Sequence, residues 1–313
     1  MAQHHELNAG PETVHWGIFD ASLPPVLEVE SGDSVTLHCL SGTPDILPHG
    51  KFEILPEHLE VHERVPPEAV GHIMTGPVAV KGAAPGDVLE VRILDIRLRQ
   101  DWGWNAIRPL LGALPDEFPD TRLLHIPLDR ERMVAHLPWG VDLPLNPFFG
   151  VLGVAPPPAW GRITSIIPRQ HGGNMDIKDL VPGTTLYLPV FNPGAQFSAG
   201  DGHAAQGDGE VCVTAIETCL TGTFELHLRK DMTLKSPRAE TPTHYITMAF
   251  DPDLDEAAKQ ALRYMLALIQ EKANLSKEDA YTLCSIAADL HVSQLVNQHK
   301  GVHMMLARSA LHG

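Results

Sequence analysis

The chain has 313 residues, which sits near the upper limit of one hydrophobic core and suits one large domain or a few interlocked ones. Hydrophobic residues make up 43% and charged residues 20%, so the composition is that of an ordinary globular protein able to bury a core without staples. A formal net charge of −16 repels phosphate backbones and anionic lipid, which excludes nucleic-acid and membrane binding as leading functions. The expected partner is therefore a small molecule.

Met1–Gly10 is polar and shows no charged-then-apolar leader, with His4 and His5 falling in what reads as a frayed terminus. Four cysteines (Cys39, Cys212, Cys219 and Cys284) lack Cys-x-x-Cys spacing, so free thiols in the cytoplasm are expected. A turn-then-strand unit recurs three times, at Gly32–Leu37, Gly86–Val91 and Gly183–Leu188, each opening on glycine and continuing with period-two alternation. Short alternating runs, Val26–Glu30 and Val78–Lys81, precede two of the copies and suggest hairpin partners. Strands separated by Gly/Pro turns indicate a mainly β sandwich or barrel over residues 1–250.

Residues 102–161 are rich in proline and aromatics and carry little clean periodicity, so they read as a long loop, either plugging the β body or walling a pocket. The pattern changes at Asp251, which is expected to cap a helix with Pro252 in its first turn. Ala258, Leu262, Met265, Leu266 and Ile269 form its apolar stripe. Asn274 and Leu275 end it, and Ser276 with Asp279 resembles a capping box opening a second helix lined by Ala280, Leu283, Cys284 and Ala287. Residues 251–313 thus read as a helical hairpin packed on the β body, followed by a returning strand at His291–Val296.

The densest chemistry lies between His171 and Glu217. Asp201 and His203 are two residues apart, so an extended backbone projects both to one face. Glycines at 200, 202, 207 and 209 let the backbone close round something small. Asp176, Asp201, Asp208 and Glu210 would repel one another unless protons or a divalent cation lay among them. Carboxylates with imidazole suit Zn²⁺; carboxylates with carbonyls suit Ca²⁺. On spacing alone the block reads either as two hairpin turns, at Asp201–Gly202 and Asp208–Gly209, or as a metal or catalytic site. Glu210 and Glu217 bracket a strand at Val211–Glu217, which places them on opposite faces unless a bulge intervenes and favours Glu210 for the site. The same separation makes a Cys212–Cys219 disulfide unfavourable. His15 with Asp20 reads as a structural contact, His72 as a strand-end residue with a site role as the alternative, and His291, His299 and His303 as surface.

Gly172–Asp176, Leu188–Val190, Gly200–Glu210, Thr75–Pro77 with Gly82–Asp87, and His15–Asp20 together resemble the acetamidase/formamidase family, in order along the chain. The resemblance implies a jelly-roll-like body with a barrel-like segment and an α+β C-terminal part. It also implies hydrolysis of a small amide such as formamide or acetamide, a homo-oligomer (dimer or higher) and, in some members, a metal. Asn174, Asp176, Asp201, His203, Gln206, Asp208, Glu210 and Glu217 fall in the family's characteristic blocks. The resemblance does not divide these into ligands and proton carriers; on residue chemistry, Asp176, Asp201, His203 and Asp208 are the candidate ligands of a divalent ion, Zn²⁺ or Ca²⁺. Glu210 is the candidate proton carrier, Asn174 and Gln206 are candidates for orienting the substrate, and Glu217 belongs to the catalytic set. The alternatives are a hydrolase of a larger or cyclic amide, and a non-catalytic binding module whose Asp/His loop holds structural calcium.

Overall fold

The computed structural model describes residues 2–311. Gly32, Gly86 and Gly183 all adopt positive φ (98°, 98° and 90°), the left-handed turn that only glycine takes freely. Asp33 and Asp87 complete two of these turns, their side chains accepting from the backbone N–H of Glu30 and Ala84 (2.9 Å each). The strands that follow, Ser34–His38, Val88–Leu98 and Thr185–Pro189, all belong to one nine-stranded sheet. Val88–Leu98 pairs antiparallel with Thr185–Pro189 on one side and with Leu220–Arg229 on the other. Even the N-terminal His4–Leu7, expected to fray, pairs in parallel with Ser34–His38.

The short runs that precede the turns do not form hairpins with these strands. Leu27–Val29 instead pairs in parallel with Ile73–Val80, in a second, eleven-stranded sheet. Each glycine turn therefore carries the chain from one layer to the other. The main core lies between the layers, with Val35, Leu37, Val91, Leu186 and Leu226 facing Val78, Phe149, Leu152, Phe197 and Ala199. The molecule is mainly β, and both sheets are open, so the barrel-like segment does not close.

Residues 102–161 are not a loop. They contain Trp102–Ile107, Arg122–Asp129, Val134–His136, Asp142–Pro144 and Phe148–Gly153, all strands of the second sheet. Phe148–Gly153 is buried along its whole length, and a strand covered on both faces shows no apolar–polar alternation. That is why the period-two signal fails there.

Among the described residues there are three α-helices. The first, α1 (Pro56–Arg64), was not anticipated. Asp251 ends the strand His244–Asp251 rather than capping a helix; the cap is Asp253, whose side chain accepts from Asp255 N (2.8 Å) and Glu256 N (3.2 Å) to open α2 (Leu254–Ala273). Its buried face is Ala257, Ala261, Met265, Leu268 and Ile269, displaced about one position from the expected stripe, with Ala258, Leu262 and Leu266 only half-buried. Small alanines sit where the helix comes closest to the sheet, and Thr247 Oγ1 donates to the Ala261 carbonyl (3.0 Å) at that point. Asn274 turns the chain in the left-handed conformation, and Ser276 accepts from Asp279 N (3.0 Å) to cap α3 (Lys277–Ala287). The returning strand, Ala288–Gln294, pairs with Lys300–Ala307 and forms one edge of the first sheet. Among the described residues, no helix is long and apolar enough to cross a membrane.

The reassigned cap is testable. Asp253→Ala should destabilise the protein by about 1 kcal/mol, read as a lower denaturant midpoint at unchanged slope.

Candidate metal and catalytic site

Strand Phe197–Ala205 runs through the second sheet and carries Asp201 and His203. On one side it meets Phe148–Gly153, with Phe149 opposite Gly202 and Val151 opposite Gly200. Asp201 therefore faces Gly150. A Cβ at Gly150 would fall 2.5 Å from Asp176 Oδ1, 2.5 Å from Asp201 Oδ2 and 2.9 Å from the His203 ring, so the absent side chain is the space the cluster occupies. The Gly150 carbonyl also accepts from Met175 N (2.9 Å) and Asp176 N (3.2 Å), which fastens Asp176 beside it. Asp176, Asp201 and Glu210 all have positive φ (51°, 58° and 42°), so three of the four site carboxylates sit on a backbone conformation uncommon for residues with side chains.

His203 is the centre. Its Nδ1 bonds Gln206 Oε1 (2.9 Å), while Gln206 Nε2 donates to the carbonyls of Asp176 (2.9 Å) and Ser293 (3.2 Å). With the Nδ1 proton committed to Gln206, Nε2 is aimed at carboxylates. It lies 3.2 Å from Asp201 Oδ2, 3.2 Å from Glu217 Oε2 and 4.0 Å from Glu210 Oε1. His72 Nε2 approaches Asp201 Oδ2 from the other side at 3.6 Å. Asn297 Nδ2 donates to Asp176 Oδ2 (2.5 Å). The Asn174 amide, oriented with its nitrogen toward the carboxylates, donates to Asp176 Oδ1 (3.1 Å) and Asp201 Oδ2 (2.9 Å) and accepts from Asn297 (2.9 Å). Among the described residues, no Lys or Arg pairs with Asp176, Asp201, Glu210 or Glu217.

Of the eight residues singled out in the sequence, seven gather here and one does not. Asp208 is partly exposed and pairs with Lys178 (3.0 Å) and His291 (3.0 Å), away from the cluster. Glu210 and Glu217 share the site, contrary to the opposite-faces reading. Only Ile216–Glu217 is strand, and the chain between them turns, with Val213 N bonded to the Glu210 carbonyl (2.8 Å) and Val213 at positive φ. The same turn separates Cys212 from Cys219, and both are free thiols. Gln206 and Asn174 are engaged in holding His203 and the carboxylates.

Gly150 and Asn297 were missed, and His72, read first as a strand-end residue, stands beside Asp201. A lone His before a strand, a Gly inside one and an Asn in the tail carry no local signal. His15 is structural, bonded to the Ile18 carbonyl (2.8 Å) and Ser198 Oγ (2.9 Å) and not to Asp20. His303 is fully buried rather than on the surface, bonded to Ser293 (2.8 Å) and paired with Asp179 (3.1 Å).

The electrostatics drive the site residues apart. Burial, reinforced by the neighbouring charges of Asp201 and Glu217, pushes Asp176 up to about 8. Burial and the Asp201 charge push Glu217 up to about 7, and burial with Asp176 and Glu217 raises Glu210 well above its ordinary value. Burial alone would raise Asp201 too, but His72 and His203 hold it below the usual carboxylate range. For His203, burial works to discharge the ring, yet Glu217 and Asp201 raise it well above 6.5. Such a set stores protons in the absence of another positive charge.

The donor set also fits a divalent cation. Asp176, His203 and Glu210 form one group of three possible ligands and Asp201, His203 and Glu217 another, each with its ligand atoms within 4.8 Å of one another. His203 Nε2 and Glu217 Oε2 are buried and face each other at 3.2 Å without forming a hydrogen bond, an arrangement that suits shared ligation. Asp201, Glu210 and Glu217 line a cavity of about 680 Å³ that also reaches His72, Trp16 and Trp104.

The chain thus carries a buried imidazole ringed by carboxylates at the end of a cavity, on a mainly β body. Residues 5–164 and 158–307 match the profile of the Acetamidase/Formamidase family, and the chain belongs to that family. The crystal structure of an acetamidase from Bacillus halodurans superposes with a TM-score of 0.84 at 34% identity, covering 98% of this chain and all of that one. An acetamidase structure from Yersinia enterocolitica gives 0.85 at 28% identity, covering 99% and 93%. A formamidase from Methylophilus methylotrophus is 32% identical over 60% of this chain; the match spans 61% of that relative's length.

The sign of the pH response follows from the raised carboxylates. Asp176 and Glu217 keep protons in the folded state that the unfolded chain has already released. The stability this contributes is complete below their ordinary values, 3.8 and 4.5, and is lost as pH rises through about 7 and about 8. In chelator, the thermal midpoint should fall across that window. Asp176→Asn should flatten the slope.

Proposed function

We propose that this protein hydrolyses a primary carboxylic amide, of which formamide and acetamide are the simplest, to the acid and ammonia. The observation that carries the reading is the His203 imidazole held among Asp201, Glu217 and Glu210 at the end of an accessible cavity. Family membership supports it.

An amide resists water because resonance stabilises its carbonyl and because an amide anion is too basic to leave unprotonated. Asp176, Asp201 and His203, with Glu217 beside them, would hold a divalent ion, and such an ion would supply positive charge to acidify water and polarise the carbonyl. A donor set that includes imidazole nitrogen suits Zn²⁺ better than Ca²⁺, which favours an all-oxygen shell.

The chain's own groups manage the protons and the positioning. Glu210, whose affinity for a proton is raised by burial and by Asp176, takes the proton of the attacking water at Oε1 and returns it to the leaving nitrogen. Gln206 holds the His203 ring through Nδ1 and so keeps Nε2 directed at the site. Asn297 and Asn174 fix the two oxygens of Asp176. Gly150 leaves the space in which these carboxylates meet.

Two assays on the purified protein decide the matter, metal content and ammonia release from formamide and acetamide. Glu210→Gln should lower kcat by at least about a hundredfold while keeping the metal. Asp201→Asn should lose metal and activity together; full retention of both would remove the assignment. Gly150→Ala, which drives a methyl group into two carboxylates, should also lose both.

A further inference from the structure

The cavity is larger than the simplest amides need. At about 680 Å³ it falls within the roughly 300–1,000 Å³ range of pockets that enclose drug-sized ligands. Formamide, or acetamide with its single methyl group, would leave most of that space to water. Beyond the carboxylates Trp16, Ile73 and Trp104 contribute apolar wall, beside the polar Ser41, Thr43 and Arg108.

The rim carries a second, independent sign. Val70 and Leu111 line the same cavity and are 81% and 47% exposed. Leu111 lies in a turn, its N–H bonded to the Arg108 carbonyl (3.2 Å), so its position is set by backbone and not by packing. Large apolar side chains at the mouth of a cavity gain by being covered when it fills.

We propose that the preferred substrate is a primary amide whose acyl group carries an apolar substituent of about phenyl size, seated on Trp16 and Trp104 and covered at the rim by Val70 and Leu111. This rests on the amidase reading and extends it to a substrate class. Orientation follows from the chemistry. The leaving nitrogen takes its proton from the carboxylate end, so the acyl substituent is the part that extends along the apolar walls. The step is the same hydrolysis. Water adds to the carbonyl carbon, the C–N bond breaks, and the nitrogen departs as ammonia with the proton that water lost.

The test is ammonia release from formamide, acetamide, hexanamide and phenylacetamide by the metal-loaded enzyme. The expected result is a kcat/KM for phenylacetamide at least about tenfold above that for acetamide, the discrimination that added apolar contact commonly gives. Leu111→Ser, a change at an exposed turn, should lower the phenylacetamide-to-acetamide ratio of kcat/KM severalfold. Turnover of formamide and acetamide with no gain for the larger amides overturns this inference and leaves the amidase reading standing. Ammonia from none of the four overturns both.

Discussion

Burying one imidazole among four carboxylates, with no lysine or arginine among the described residues paired to them, is the constraint to which the rest of the structure answers. Like charges at such distances cannot all persist in a medium of low dielectric, so protons or a cation must be shared among them. The chain accepts a further cost to bring them together. Three of the carboxylate residues occupy left-handed backbone, and a glycine stands where any side chain would collide with two of them. Strain of this kind persists only where the surroundings over-determine it, and it concentrates at functional sites.

Those surroundings come from parts of the chain distant in sequence. The turn that presents Glu210 is held from the C-terminal edge strand, where Gly209 N donates to the Ser293 carbonyl (3.1 Å) and Leu295 N donates to the Gly209 carbonyl (3.0 Å). Ser293 also receives Gln206, which orients His203, and Asn297 reaches Asp176 from the next turn. Gln294 stiffens that turn, its Oε1 accepting from the N–H groups of Val296 and Asn297 (2.9 and 3.0 Å). The helical hairpin α2–α3 packs on the strands that lead to and from this segment. A part of the molecule that looks like an appendage thereby fixes the geometry of the site.

Much of this was legible locally. Glycine turns at 32, 86 and 183 marked strands of one sheet because positive φ is a local property of the residue. The helical hairpin was visible because a one-faced stripe and a Ser–Asp cap are local too. Its first cap was misplaced by two residues, since Asp251 and Asp253 offer the same chemistry and only the end of the preceding strand chooses between them. Within 102–161 the strand Phe148–Gly153 was invisible because burial on both faces erases alternation.

For the site itself, the sequence alone determined the kinds of atoms available. Asp176, Asp201, His203, Glu210 and Glu217 could be named from composition, spacing and family resemblance, as could the need for positive charge among them. Tertiary structure decided which of them meet. It excluded Asp208, which Lys178 and His291 draw away, and joined Glu210 to Glu217 through a turn that a period-two reading had missed. It also added His72, Gly150 and Asn297, whose roles consist of what they approach across the fold. Spacing along the chain fixes directions only while the backbone stays regular, and here the functional residues sit where regularity breaks.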